Sequence, residues 1–255
     1  MHNNKVNDLL LLVKEVALSA FQKLSELNKK SLFTHSYSKD IPREMKAMVD
    51  NIIENVIINR LKEARLPILS EENGSIDGDA SSEFRFIVDP IDGTVNFIRG
   101  LAPSTISIAL YKGNEPLFGV LVVYPSGDMV WGGKGMGAFI NNQSIEVSKI
   151  FDLSESVLCT GIPSRFDFDD KATSVDFYRS LASYGKIRML GSASNSLLQV
   201  AKGSAEVYSE MEIMLWDVAA GLAIVEGAGG FILVSPGKLL YSLNVYVSNG
   251  VIKRV

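Results

Sequence analysis

Two aspartates near the middle of the sequence, Asp89 and Asp92, could bind a metal ion. They follow the apolar run Phe84–Val88, which has the composition of a strand. Pro90 lies between them and prevents ladder pairing, and a turn dipeptide follows, so the turn should bring both carboxylates toward one point. The Ile91 carbonyl could join them there. Oxygen ligands of this kind suit Mg²⁺.

A helix that begins just after these aspartates could bind an anion. If it begins near Gly93 and Thr94, its first N–H groups have no acceptor within the helix and offer a site for phosphate beside the metal. The alternative is an ordinary strand-end turn in which an aspartate caps the helix, and this segment alone fits both readings. Two other acidic features could contribute: Asp217, near the start of an apolar helix, and the pair Glu71 and Glu72 in a polar loop.

The composition narrows the chemistry further. The 255 residues include two histidines and one cysteine, which almost excludes a zinc site built from these residues. The single Cys159 cannot form an intramolecular disulfide. Any reaction must therefore rely on carboxylates, hydroxyls, backbone groups or hard metal ions.

The charge and the hydropathy pattern address partners and location. The net charge of −4 gives no basic footprint, so we expect no nucleic-acid partner. No run approaches about 18 uninterrupted apolar residues, so we expect no membrane partner. The N-terminus lacks the layout of a signal peptide, and a cytoplasmic location is the resulting expectation.

The apolar spacing predicts two helices before the aspartates and several strands around them. Helical periodicity extends through Leu9–Leu27 and again from about Arg43 to Ala64. The polar segment Glu71–Glu83 is predicted to be an exposed, mobile loop. Short strands are predicted at Phe84–Val88, Thr105–Tyr111, Leu117–Tyr124, Met129–Trp131 and Ala138–Ile140.

After about residue 150 the pattern alternates between helix and strand. The predicted helices are Thr173–Ser183, Ala193–Ala201 and Val218–Val225. The predicted strands are Ile187–Leu190, Ala205–Tyr208 and Phe231–Val234. The sequence thus predicts an α+β lobe over residues 1–145 and an α/β lobe over residues 146–255, which form one compact catalytic unit without an obvious linker.

An ordered set of motifs extends over most of the chain. DPIDGTVNF at residues 89–97 is preceded by SEEN at 70–73 and followed by WDVAAG at 216–221. Other motifs stand in the same order: Asp50-x-x-x-Glu54, Gly135-Met136-Gly137-Ala138, Gly191-Ser192-Ala193 and Glu226-x-x-Gly229-Gly230. Together they resemble the inositol monophosphatase family of lithium-sensitive, Mg²⁺-dependent phosphatases. The resemblance implies a layered αβαβα sandwich, of the type shared with fructose-1,6-bisphosphatase, and commonly a homodimer.

The resemblance also implies roles for particular residues. The metal ligands would be Glu71, Asp89, the Ile91 carbonyl, Asp92 and Asp217, holding two or three Mg²⁺ ions. The catalytic residues would be Glu71, Thr94 and Asp89, with Glu71 and Thr94 activating the attacking water. The substrate would contact Ile91, Asp92, Gly93, Thr94, Gly191, Ser192, Ala193 and Glu210.

Some positions leave alternatives open. Asp50 and Glu54, like charges one helical turn apart, either lie behind the metal ligands or are simply neutralised by Lys46. Glu212 stands where related sequences often have glycine, and we expect it to add negative charge near the mouth of the substrate site.

The expected function is Mg²⁺-dependent hydrolysis of a small phosphate monoester by metal-activated water, most simply inositol 1-phosphate. Within the same chemistry the alternatives are a 3′(2′),5′-bisphosphate nucleotidase and a fructose-1,6-bisphosphatase. The negative charge of Glu212 disfavours these bisphosphates. A different class of alternative is a regulatory member of the family that binds RNA-polymerase or ribosome factors.

Overall fold

The computed structural model describes residues 2–27, 35–37, 45–101, 103–162, 169 and 171–252. The α-helices in this part of the chain are α1 (His2–Glu26), α2 (Met48–Leu61), α3 (Thr94–Arg99), α4 (Lys171–Ala182), α5 (Ala193–Ala201) and α6 (Leu215–Gly227). Single 3₁₀ turns occupy Lys62–Ala64 and Leu153–Glu155.

The strands form three sheets. The first strands are β1 (His35–Tyr37), β2 (Met45–Ala47), β3 (Ile68–Ser70), β4 (Gly74–Ile76), β5 (Phe84–Asp92), β6 (Ser104–Lys112), β7 (Glu115–Tyr124), β8 (Met129–Gly133), β9 (Gly137–Ile140) and β10 (Gln143–Ser144). The later strands are β11 (Val157–Thr160), β12 (Lys186–Arg188), β13 (Val207–Met214), β14 (Phe231–Pro236) and β15 (Ser242–Ser248).

The sheet order separates the chain into an early and a late part. An eight-stranded sheet has the order β10-β9-β8-β7-β6-β5-β3-β4, and a five-stranded sheet has the order β12-β11-β13-β15-β14. Strands β1 and β2 form a separate antiparallel pair. Because β10 ends at Ser144 and β11 begins at Val157, the strands of each large sheet come from one side of residue 145. The division into two lobes at that point stays a proposal.

Alternation along the central strands creates the layers. Phe86 and Val88 of β5 pack with α1 and α2, whereas Ile87 between them packs with α5 and α6. Side chains of a strand alternate between the two faces of its sheet, so the eight-stranded sheet is covered by helices on both sides. Helices α5 and α6 also pack against the five-stranded sheet, and Leu181 of α4 packs on its other face. The layers are therefore αβαβα, which confirms the expected fold.

Several predicted boundaries need correction. The second helix begins at Met48 rather than near Arg43, because Met45–Ala47 pairs with β1 as a strand, and residues 38–44 lie outside the described part. Part of the segment Glu71–Glu83 is also a strand, since β4 pairs with β3. Pro90 does not end β5, which continues to Asp92. The remaining predicted helices and strands are present, with ends shifted by a few residues.

Seven strands of the described residues were not predicted from the sequence. They are β1, β2, β3, β4, β10, β11 and β15. In the part of the chain that the structure covers, no helix combines the length and the apolar character needed to cross a membrane.

Candidate metal and phosphate site

A bulge in β5 places Asp89 and Asp92 on the same side of the sheet. Asp89 pairs with Ser107 of β6 and Asp92 pairs with Thr105, so three steps along β5 oppose two steps along β6. In a regular strand, residues three apart point to opposite faces, and one extra residue restores a common face. Pro90, which has no N–H group to donate to the ladder, lies inside this irregular segment.

A third carboxylate reaches the two aspartates from α6. Carboxylate oxygens of Asp89, Asp92 and Asp217 all lie within 4.8 Å of one another. Asp217 lies in the first turn of α6, and its Oδ2 accepts the N–H of Met214 at 3.3 Å. The cluster therefore joins the end of a strand in one large sheet to the helix between the two sheets.

Among these carboxylates, Asp89 fits a cation most clearly. It is 1% exposed, and its Oδ1 accepts the N–H of Ile91 at 3.0 Å. Its Oδ2 is buried without a hydrogen-bond partner. Burial, followed by the charges of Glu71, Asp92 and Asp217, raises the pKa of Asp89 well above its usual range. A buried carboxylate oxygen without a donor costs free energy, and a hard cation bound to the cluster would remove that cost.

Glu71 faces the same cluster from the turn after β3. Its N–H donates to the Val88 carbonyl of β5 at 3.2 Å. Burial and the charges of Asp217 and Asp50 raise the pKa of Glu71 well above its usual range. Four carboxylates therefore share one region, and their oxygens form the type of donor set that Mg²⁺ prefers.

The fully buried Glu54 of α2 holds the turn that carries Glu71. Its Oε1 accepts the N–H of Glu72 at 3.2 Å, and its Oε2 accepts Nδ2 of Asn73 at 2.5 Å. These two bonds fix the residues directly after Glu71. Glu54 thus lies behind the acidic cluster, which is the first of the two alternatives given for Asp50 and Glu54. The second alternative, neutralisation by Lys46, concerns a side chain outside the described residues.

Thr94 connects α2 to the aspartate turn. Its Oγ1 is 3.1 Å from the carbonyl oxygen of Ile91 and 3.4 Å from Oδ1 of Asp50. Helix α3 begins at Thr94, as expected from the sequence. The Thr94 hydroxyl therefore lies between a buried carboxylate on α2 and the backbone of the aspartate turn.

Asp92 is bound by the beginning of α5. Its carboxylate accepts the hydroxyl of Ser192 at 2.6 Å and the N–H groups of Ala193 and Ser194 at 3.2 and 2.7 Å, together with the Ser194 hydroxyl. The Ser194 hydroxyl also contacts Thr105 Oγ1. Burial raises the pKa of Asp92, while the bonds from Ser192 and Ser194 act in the opposite direction. The Ser192 and Ala193 donors thus hold a carboxylate, and their expected contact with substrate stays a prediction.

Two glycines allow the aspartate turn to pack closely against the start of α5. Gly93 has a φ of +86°, and a Cβ there would lie 3.1 Å from the Gly191 carbonyl oxygen. Gly191 has a φ of +71°, and a Cβ there would lie 2.9 Å from Oδ1 of Asn96. Nδ2 of Asn96 donates to the Leu190 carbonyl at 2.7 Å. Any larger residue at either glycine would separate the two segments.

Glu210 of β13 lies close enough to the cluster to interact with Asp92. Burial and, to a smaller extent, the charge of Asp92 raise the pKa of Glu210, and the hydrogen bond from the Tyr208 hydroxyl lowers it, with a net value of about 7. The Tyr208 hydroxyl donates to Oε2 of Glu210 at 3.0 Å. A carboxyl group with this pKa changes its charge in the physiological range.

Glu212 was expected to add negative charge near the substrate, but its carboxylate forms hydrogen bonds within the five-stranded sheet region instead. Its carboxylate accepts the N–H of Lys238, at 3.1 and 3.0 Å, and the hydroxyl of Ser242 at 2.9 Å. The residue has a φ of +56° and lies where the pairing of β13 with β15 shifts register. Glu212 therefore binds the turn between β14 and β15.

Comparisons with known proteins agree with this geometry. The sequence model of a family described as "Inositol monophosphatase family" matches residues 7–253. The chain belongs to the inositol monophosphatase family. Metal dependence is a property of that family, and the acidic cluster fits it.

Individual known proteins also align with most of the chain. An "Inositol-1-monophosphatase" of Mesorhizobium japonicum is 32% identical over 84% of the chain and 81% of its own length. The "Phosphatase IMPL1, chloroplastic" of Arabidopsis thaliana is 37% identical over 72% of the chain, which spans 52% of that protein. The crystal structure of an extragenic suppressor protein suhB from Bartonella henselae superposes with a TM-score of 0.83 at 29% identity, over 96% of the chain and 95% of that protein.

The motifs that contain Glu54, Glu71, Asp89, Ser192 and Asp217 lie together in the structure, but they do not include every residue that positions the site. Ser194, Thr105 and Tyr208 each bond to a site residue or to its partner, and none was selected from the sequence. Ser194 is the next residue after the Gly-Ser-Ala motif, so the signal for it was its place in the first turn of a helix. Thr105 and Tyr208 gave no comparable signal.

Proposed function

We propose that this chain hydrolyses a small phosphate monoester with the help of Mg²⁺, and that inositol 1-phosphate is the simplest substrate. The observation that carries the proposal is the convergence of Asp89, Asp92 and Asp217, with Oδ2 of Asp89 buried and without a donor. Glu71 adds a fourth carboxylate, and the Ile91 carbonyl is available beside them. An all-oxygen set with this much negative charge fits a hard divalent cation.

The residues of the chain divide the work as follows. Glu71, Asp89, the Ile91 carbonyl, Asp92 and Asp217 would hold two or three ions, whose positive charge makes the phosphorus more electrophilic and supports the leaving oxygen. Glu71 and the Thr94 hydroxyl would orient the attacking water, and the Glu71 carboxylate would accept its proton, with Asp50 holding the Thr94 hydroxyl in place. The first N–H groups of α3, at Gly93 and Thr94, would bind the phosphate oxygens.

The alcohol part of the substrate would lie between the start of α5 and β13. Glu210, as a carboxylate, can accept a hydrogen bond from a polyol hydroxyl. Gly191, Ser192 and Ala193 would form the neighbouring wall, since they pack against the aspartate turn. A hydroxyl-rich monoester suits this arrangement better than a second phosphate would, because a second dianion would meet the negative charges of Glu210 and Asp92.

The names of two relatives support two alternative functions. A relative in Aquifex aeolicus, 35% identical over 64% of the chain, is named "Fructose-1,6-bisphosphatase/inositol-1-monophosphatase". A relative in Xylella fastidiosa, 35% identical over 72% of the chain, is named "Nus factor SuhB". A sugar bisphosphate is therefore an alternative substrate, and a protein partner is an alternative function that does not exclude catalysis.

The test is phosphate release measured with malachite green over a panel of phosphate esters. We expect Mg²⁺-dependent release from inositol 1-phosphate that exceeds release from fructose 1,6-bisphosphate and from adenosine 3′,5′-bisphosphate. Asp89→Asn and Asp217→Asn should each remove nearly all activity and leave the circular-dichroism spectrum unchanged. The matched control is Asp77→Asn, an exposed carboxylate in the loop after β4, which should keep full activity.

Two outcomes would count against the proposal. The absence of phosphate release from every ester, by a protein that is folded and loaded with Mg²⁺, would leave the protein-binding alternative. Near-normal turnover by Asp89→Asn or Asp217→Asn would show that the metal assignment is wrong. Inhibition by Li⁺, a homodimeric state and a cytoplasmic location stay predictions, and the first two can be measured on the same preparation by adding Li⁺ and by light scattering.

A further inference from the structure

A cavity lies between the two large sheets, on the other side of α6 from the acidic cluster. Its volume is about 410 Å³. Arg85 and Tyr111 contribute from the eight-stranded sheet, and Asn114 contributes from the turn between β6 and β7. Leu215 and Leu222 of α6, and Ile232, Val234 and Leu243 of the five-stranded sheet, form much of the remaining wall. Cavities of about 300–1,000 Å³ with mostly apolar walls and a few polar groups are typical sites for small molecules.

Helix and strand geometry separates this cavity from the carboxylates. Leu215 and Leu222 are seven residues apart on α6 and therefore share one face, whereas Asp217 lies about 200° around the helix from Leu215. On β5, Arg85 precedes Asp89 by four residues, a distance of roughly 13 Å along a strand. The cavity and the acidic cluster thus lie on different faces of α6 and near different ends of β5.

Among the described residues that line this cavity, Arg85 is the only cation, and few of its N–H donors form hydrogen bonds. Its Nε is buried without a hydrogen-bond partner. Its Nη2 is 3.5 Å from Oδ1 of Asn114, at the limit of a hydrogen bond. The neighbouring Lys112, by contrast, has the carboxylate of Glu83 at 3.2 Å. A guanidinium group presents five N–H donors in a planar fork that matches a carboxylate, so Arg85 has capacity for an anion.

The other side chains of the cavity suit an apolar body. Leu215, Leu222 and Leu243 are aliphatic, and Val234 on the outermost strand β14 is 38% exposed, which leaves the cavity open toward solvent on that side. The Tyr111 hydroxyl donates to the Ala219 carbonyl at 3.4 Å, so the ring rather than the hydroxyl is available to a ligand. One cation in an apolar wall matches a ligand with one negative charge and a hydrocarbon body.

We propose that this cavity binds a small monocarboxylate whose head pairs with Arg85 and whose apolar body packs against α6 and β14. A single guanidinium balances a single negative charge, which favours a carboxylate over a phosphate dianion. The proposal does not depend on the phosphatase reaction, because the cavity and the acidic cluster lie on different faces of α6 and near different ends of β5.

The test uses 8-anilinonaphthalene-1-sulfonate, a fluorescent anion with an aromatic body, as the reporter and hexanoate as the competing probe. We expect hexanoate to displace the reporter at a concentration roughly ten-fold or more below that of hexan-1-ol, since a hydrogen bond to a charged group is worth about that factor. Acetate, which has the charge without the body, should not displace it in the same range. Arg85→Met should abolish the advantage of hexanoate over hexan-1-ol, and Arg85→Lys should keep part of it.

Two matched controls place the effect in the cavity. Lys112→Met removes a neighbouring cation that already has a carboxylate partner, and it should change nothing. Val234→Trp should block reporter binding, whereas Leu233→Trp, at an exposed position on the same strand that does not line the cavity, should not. Phosphatase activity and the unfolding temperature report whether each variant is folded.

Other results would overturn the proposal. Equal displacement by hexanoate and hexan-1-ol in the unmodified protein would show non-specific adsorption to apolar surface. Unchanged preference for hexanoate in a folded Arg85→Met variant, or unchanged reporter binding in folded Val234→Trp, would place the site elsewhere. Loss of phosphatase activity in Asp89→Asn together with unchanged hexanoate binding would show that the acidic cluster and the Arg85 cavity act independently.

Discussion

Removing the Ser192 hydroxyl should destabilise the fold by more than an ordinary buried serine does. Ser192 is the N-cap of α5, and its Oγ accepts the N–H of Asn195 at 3.2 Å. The same hydroxyl donates to Oδ2 of Asp92 at 2.6 Å. One oxygen atom therefore caps α5 and also binds the buried carboxylate of Asp92, which lies in the eight-stranded sheet.

The magnitude follows from these two bonds. Loss of an N-cap serine costs about 1 kcal/mol, and loss of a hydrogen bond to a charged group costs about 1.5–3 kcal/mol. Ser192→Ala should therefore lower the free energy of unfolding by about 2.5–4 kcal/mol, a large share of the ~5–15 kcal/mol typical of a domain. Ser196→Ala is the control, because Ser196 is also buried on α5 and its hydroxyl donates to the neutral carbonyl of Ser192 at 2.7 Å. We expect about 0.5–1.5 kcal/mol for that change.

The assay is urea unfolding in the presence of EDTA, at two pH values. The pKa of Asp92 is raised by burial and held down by the serine donors, so the lost bond matters most when Asp92 is ionised. The difference between Ser192→Ala and the unmodified protein should therefore shrink as the pH falls through the Asp92 pKa, toward the value of the N-cap alone. Equal destabilisation by Ser192→Ala and Ser196→Ala, or a difference that does not change with pH, would refute this account of Asp92.

Two further predictions concern the charge of the site. Burial raises the pKa of Glu71 and Asp89 above their unfolded values, so the metal-free protein should lose stability as the pH rises from those unfolded values through the folded ones. The gain in unfolding temperature on adding Mg²⁺ should accordingly be larger at pH 8 than at pH 5, and a pH-independent gain would contradict this. Because burial raises the pKa of Glu210 to about 7, and because we propose that its carboxylate accepts a hydrogen bond from substrate, the KM for inositol 1-phosphate should fall as the pH rises through 7. Tyr208→Phe removes a bond that lowers this pKa and should move the inflection to higher pH, while Tyr111→Phe, whose hydroxyl bonds to α6 instead, should leave it in place.

The sequence was most informative where a feature is local. The apolar spacing of α1 marks a stripe that is buried in the structure, because Leu9, Val13, Ala17 and Leu24 all face the eight-stranded sheet. The aspartate turn was also readable, since Asp89, Pro90 and Asp92 are close in sequence and their chemistry is unusual at the end of a strand. The motif order added Asp217, which lies 125 residues after Asp92 and becomes its neighbour only in the fold.

Features that depend on pairing between distant segments could not be predicted from the sequence. Residues Met45–Ala47 continue the helical periodicity of α2, yet they form a strand because β1 is available as a partner. Strand β15 does alternate, with Leu243, Val245 and Val247 between more polar residues, so its local strand signal was overlooked, but its place between β13 and β14 depends on distant pairing. The same limit applies to Ser194, whose hydroxyl bonds to Asp92 although the two residues are 102 positions apart in the sequence.

The pattern of donors also indicates how the negative charge is distributed within the site. Asp92 receives four hydrogen bonds from the start of α5, and its pKa is raised only in part because those bonds favour the ionised form. Asp89 receives one, from the N–H of Ile91, and its other oxygen has none. The fold thus stabilises the ionised form of Asp92 with N–H and O–H donors. Asp89 and Glu71 would depend more on a bound cation. A cation bound in the site would gain most at Asp89, which lies at the strand bulge and whose carboxylate interacts with the charges of Glu71, Asp92 and Asp217.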